Sequence, residues 1–101
     1  MPSLLTDPAQ LHATARRIRD HAGELRHRAA LLSRSAEQVH WHSCAATEFR
    51  QRVTEVAHRM STAAAQLDVS ADHLDRHARR VGHALAGIEH TALKTAEVLL
   101  L

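Results

Sequence analysis

The chain has 101 residues, 45% of them apolar and 24% charged, which suits one folded domain and excludes a disordered chain. Nineteen alanines, two aromatics, three glycines and two prolines, both prolines within the first eight residues, leave little to build strands or tight turns from, so the class is all-α. A net charge of +2 is too small to argue for nucleic acid by itself, no run nears the roughly 18 apolar residues of a membrane span, and the start has neither the basic lead nor the apolar core of a secretory signal peptide.

Met1 to Thr6 read as a loose lead-in, with Leu4 and Leu5 placed to tuck against the end of the second helix. Asp7-Pro8-Ala9-Gln10 then writes a helix start. Asp7 accepts from unpaired N–H groups as N-cap, Pro8 suits the first helical position, and Gln10 can return a capping-box bond. The first helix is expected over about 8–40. Along it Leu11, Ile18, Leu25, Leu32 and Val39 recur every seven residues, and Ala15, Ala22, Ala29 and Ala36 follow four later each time. This is a narrow two-in-seven stripe of the coiled-coil kind. Gly23 interrupts it at a cost of about 1 kcal/mol without ending the helix.

The bend is expected at about 40–44, with Ser43 as the N-cap of the second helix and Thr47 as the alternative. Cys44, the single cysteine, reads as an ordinary small bend residue. The second helix is expected over about 44–87 and repeats the stripe: Val53, Met60, Leu67, Leu74, Val81 and Ile88, with Ala57, Ala64, Ala71, Ala78 and Leu85 four later. Phe49, Val56 and Ala63 widen it near the bend, which makes that end the best-packed part of the expected core. Gly82, Gly87 and the off-pattern Val98-Leu99-Leu100-Leu101 suggest a frayed tail over 88–101.

Folding the chain at the bend gives one domain over 1–101, an antiparallel two-helix hairpin with arms of roughly 50 Å or longer. In this register Leu25 lies between Met60 and Ala64, Ile18 between Leu67 and Ala71, and Leu11 between Leu74 and Ala78, large residues against alanines. Such a rod is short of core, so it should associate, most simply as two hairpins in a four-helix bundle. Arg16, Arg17, Arg19, Arg26, Arg28 and Arg34 outnumber Asp20, Glu24 and Glu37 on the first helix, which favours a partner with an acidic face over an identical copy.

The layout Trp41-His42-Ser43, Ala45-Ala46 and Phe49-Arg50 resembles the central motif of the Trp-X-Gly (WXG) family, the small early-secreted-antigen-like helical hairpins exported by type VII secretion systems. The resemblance implies a hairpin that pairs as a homodimer or as a heterodimer with a paralogous hairpin. It also implies a non-enzymatic secretion substrate without a cofactor, leaving the cytoplasm by a signal-peptide-independent route and engaging the secretion machinery. The family's export-associated surface at the end of the bundle falls here on Trp41, Ser43 and Phe49. Two positions depart from the pattern: Ser43 stands where the family usually has Gly, and no tyrosine exists to begin the family's Tyr-X-X-X-Asp/Glu signal, whose nearest frame is Leu93-Lys94-Thr95-Ala96-Glu97.

Other chemistry is thinner. Of ten histidines, His73 and His77 share a helix face at i, i+4, a spacing used in zinc sites, but no third ligand is placed by spacing and solvated surface is the reading adopted. His40 and His42 flank Trp41, where protonation near a pKa of about 6.5 would act on an interface. Glu48 with Arg52 and Asp72 with Arg76 read as surface ion pairs within one helix, and a two-helix rod offers no enclosed pocket, so no catalytic residue is assigned. The alternatives to the family reading are a homomeric coiled-coil scaffold and a basic nucleic-acid-binding helical module.

Overall fold

The computed structural model describes residues 7–39 and 43–100. Two helices make up the fold, α1 over Pro8–Glu37 and α2 over Cys44–Leu100, antiparallel along a rod of 87 × 18 × 14 Å, with no strand among the described residues. The expected all-α helical hairpin is therefore the architecture. Asp7 is the N-cap of α1, its Oδ1 accepting from the Ala9 N–H at 3.0 Å, and Pro8 opens the helix. Leu4 and Leu5 lie outside the described residues.

Helix α1 ends at Glu37, short of the expected limit. Gln38 turns off with φ −77° and ψ −8°, its N–H donating to the Arg34 carbonyl, and the Val39 N–H donates to the Ala36 carbonyl. Both are last-turn bonds, so Val39 belongs to the approach to the bend rather than to the helix.

The second helix corrects the sequence reading further. It is helical through Leu100, not frayed from 88, and its 57 residues span about 85 Å against about 45 Å for α1. The two arms are therefore unequal. Gly82 and Gly87 each cost about 1 kcal/mol, but the alanines, leucines, glutamates and lysine around them favour helix, and no proline follows Pro8 to break it. Pro8 reaches Gly82, its Cγ lying 3.9 Å from where a Cβ on that glycine would stand. Residues 83–100, about 27 Å of helix, thus extend past the start of α1 with every side chain exposed.

The core is made of methyl groups. Ala15, Ala22, Ala29 and Ala36 on α1, and Ala46, Ala57, Ala64, Ala71 and Ala78 on α2, are buried; among large side chains of the described residues only Leu11 joins them. Alanine at the line of contact lets the two backbones approach closely, and that approach pushes the larger stripe residues to one side. Ile18, Leu25, Val39, Val53, Met60, Leu67, Leu74 and Val81 are accordingly half-buried, and Leu32 is 37% exposed. The widened region near the bend is not the best-packed part. Phe49 is 50% and Val56 45% exposed, because both stand about 100° round α2 from the line joining the helices.

Candidate interaction face

Trp41, with His40 and His42, lies outside the described residues. Ser43 and Phe49 are described. Ser43 caps α2 as expected: its Oγ accepts from the Ala46 N–H at 3.1 Å and its carbonyl from the Thr47 N–H at 3.1 Å. Among the described residues no non-glycine has a positive φ, which agrees with serine in place of glycine at this position.

Arg50, which residue spacing gives no physical role, ties the bend. Its guanidinium donates to the Val39 carbonyl at 3.0 Å, across eleven residues, satisfying a backbone acceptor in the bend just past the end of α1.

The rod has two unlike long faces. On one, polar side chains clasp the helices together. Asp75 sits at the centre, its carboxylate 2.7 Å from His12 Nδ1 and 2.6 Å from an Arg19 nitrogen, and Arg19 also donates to Asp72 at 2.7 Å. Nearer the bend Arg26 donates to Asp68, and beyond it a shallow groove opens between Ala29, Ser33, Thr54 and Ser61. The His12 and then the Arg19 hydrogen bonds hold the Asp75 carboxyl below the usual carboxylate range. The Arg19 guanidinium is held above its usual value, first by Asp72 and then by Asp75. Asp72 therefore bonds across to α1 instead of to Arg76 along its own helix, and the Arg76 guanidinium instead meets His73 Nδ1 at 3.1 Å.

The signal for this clasp lies in a second heptad row. His12, Arg19 and Arg26 stand at seven-residue spacing on α1, and Asp68 and Asp75 stand at seven on α2. Antiparallel register brings those two rows together, on the side of the contact line away from the large apolar residues.

The other face is apolar. Helical geometry turns Ile18, Leu25 and Leu32 of α1 to the same side as Val53, Met60 and Leu67 of α2, with Val56 and Phe49 at its edge. The large stripe residues expected in the seam thus come together, but as an open face rather than as a closed core. Leu11 alone among them is fully covered.

His73 and His77 lie on one stretch of α2, and no group of three or more His, Cys, Asp or Glu able to hold a metal occurs among the described residues. No helix among them is long and apolar enough to cross a membrane. Cys44 is a free, exposed thiol at the first residue of α2. Comparison with protein-family models, with curated proteins and with solved structures matches the chain to none of them.

Proposed function

We propose that the chain is a non-enzymatic, dimerising protein-interaction module of the Trp-X-Gly type, exported by a type VII secretion route together with a helical-hairpin partner. The observation that carries the reading is the open apolar face. A hairpin that buries alanines and leaves Ile18, Leu25, Leu32, Met60 and Leu67 half-covered or exposed has assembled only half of a helical bundle. A second pair of helices laid on this side would bury those residues in the way each helix of a four-helix bundle buries its stripe. The motif Trp41-X-Ser43 with Ala45-Ala46 and Phe49-Arg50 supports the export half of the proposal, and the exposed Phe49 beside the bend leaves an aromatic surface at that end of the rod.

The test is co-expression with the protein encoded next to it, followed by mass measurement in solution. A 1:1 complex is expected for the natural chain, and Leu25→Asp with Met60→Asp should abolish it while each hairpin keeps its helical circular-dichroism signal. A complex indifferent to both substitutions would refute the assignment of this face. For export, Trp41→Ala should abolish appearance in the culture medium with the dimer intact. Export at the natural level would remove Trp41 from the recognised surface, and loss of folding would assign it instead to plugging the hairpin end.

A further inference from the structure

Resting on the reading of the apolar face as a docking surface, we infer that its occupant is a helical hairpin with acidic flanks and not a second copy of this chain. Counting round each helix from the line of contact toward the apolar side, the positions about 100° and about 150° away form the two rims of the apolar strip. Arg17, Glu24 and Arg28 stand on the α1 rim, and Arg52, Arg59 and Arg80 on the α2 rim, all exposed. Five arginines thus oppose one glutamate along these edges, and Glu24 is already bonded by Arg28 at 3.4 Å. The remaining rim positions hold His21, His73, His77 and uncharged side chains.

The acidic residues are elsewhere. Asp68, Asp72 and Asp75 are engaged in the clasp on the opposite face, and Asp7 caps α1. Asp20, Glu37, Glu48 and Glu55 fall on the clasp side of the two helices, where they offset the arginines of that side, and Glu89 and Glu97 lie on the extension of α2. A chain with a net charge of only +2 has therefore placed its excess of positive charge along the borders of one face.

Both rims carry the same sign, and this decides the partner. If a second copy docks face to face, the three arginines of the α2 rim meet either the same three arginines or the α1 rim, where Arg17, Glu24 and Arg28 leave one net positive charge, so on balance positive charge borders positive charge. A partner with Asp and Glu opposite Arg17, Arg28, Arg52, Arg59 and Arg80 turns those contacts into attraction and adds electrostatic steering to the encounter.

A charge-reversed form of the chain itself serves as the acidic probe. The quadruple variant Arg17→Glu, Arg28→Glu, Arg52→Glu, Arg59→Glu keeps the apolar face and inverts its borders. Sedimentation equilibrium of the natural chain, of the variant, and of their mixture at about 20 mM and about 500 mM salt separates the outcomes. The mixed dimer is expected to form at least tenfold more tightly than either self-dimer in low salt, with the preference collapsing in high salt. Equal self-dimer and mixed-dimer affinities would overturn the inference while leaving the docking reading in place. Monomers in every sample, the mixture included, would overturn both. If the reversed chain fails to fold, replacing the same four arginines with glutamine gives a second route: self-association should then rise about tenfold in low salt, and no rise would count against the inference.

Discussion

The unequal helix lengths make a sharp prediction for the two exposed glycines Gly23 and Gly87. Neither has any atom within 4 Å of the place a Cβ would occupy, and neither has a positive φ, so alanine fits both without strain. Each substitution should favour local helix by about 1 kcal/mol, from intrinsic propensity and from the narrower unfolded ensemble. The two sites differ in what surrounds them. Gly23 lies in the middle of α1, within the stretch where both helices cover each other, so its gain enters the cooperative unfolding of the hairpin. For a unit of about 75 residues, 1 kcal/mol corresponds to a rise in Tm of about 4–8 °C. Gly87 lies in the extension beyond Pro8, where no α1 residue packs, and its gain stays local. Circular dichroism at 222 nm under heat and urea distinguishes them. Gly23→Ala should move the midpoint by the stated amount, whereas Gly87→Ala should raise the pre-transition helical signal and leave the midpoint nearly unchanged. An equal midpoint shift for both would mean that the extension folds with the hairpin and would refute the division drawn here.

Three further outcomes follow from the packing and the caps. Ser43→Ala should cost about 1 kcal/mol in urea unfolding, since the α2 start then loses the acceptor for the Ala46 N–H, and Ser43→Gly should cost only a few tenths. Ala64→Leu should destabilise the hairpin by about 1–3 kcal/mol, because Ala64 is fully buried at the line of closest approach and added methylenes must force the helices apart; unchanged or improved stability would show that the helices have room to spare. Asp75, with its folded pKa depressed, contributes stability that is complete above the unfolded carboxylate value of about 3.9 and is lost as pH falls through the lower folded value. Asp75→Asn should therefore lower stability at neutral pH by up to about 1 kcal/mol and flatten the acid limb of the unfolding midpoint below about pH 5. An acid limb identical to that of the natural chain would exclude Asp75 from it.

The features legible in residues alone are those with local chemistry. Asp7-Pro8 and Ser43 mark the two helix starts by hydrogen-bonding capacity, and the seven-residue spacing marks the faces that turn toward each other. Spacing does not say which member of a large-and-small pair stands on the line of contact. That depends on how closely two backbones approach, a tertiary quantity, and it puts Ala22 and Ala64 at the centre while leaving Leu25 and Met60 at the side. The end of α2 is hidden from pattern reading because the change after Leu85 reports the loss of a neighbour, not the loss of helix. The partner of Asp72 is hidden for a similar reason: the i, i+4 rule is local, and Arg19 is 53 residues away.

The alanine row has a mechanical corollary. Ala15, Ala22, Ala29 and Ala36 face Ala57, Ala64, Ala71 and Ala78, and displacing one helix by seven residues, about 10.5 Å, would set methyl against methyl again. Like a ruler with identical marks, that row records that the arms are aligned on a graduation but not on which one. The choice is made outside that row, by Leu11, by the pairing of Arg19 and Arg26 with Asp72, Asp75 and Asp68, and by the guanidinium of Arg50 on the Val39 carbonyl, so removing these together should loosen the selection of a single alignment before it weakens either helix.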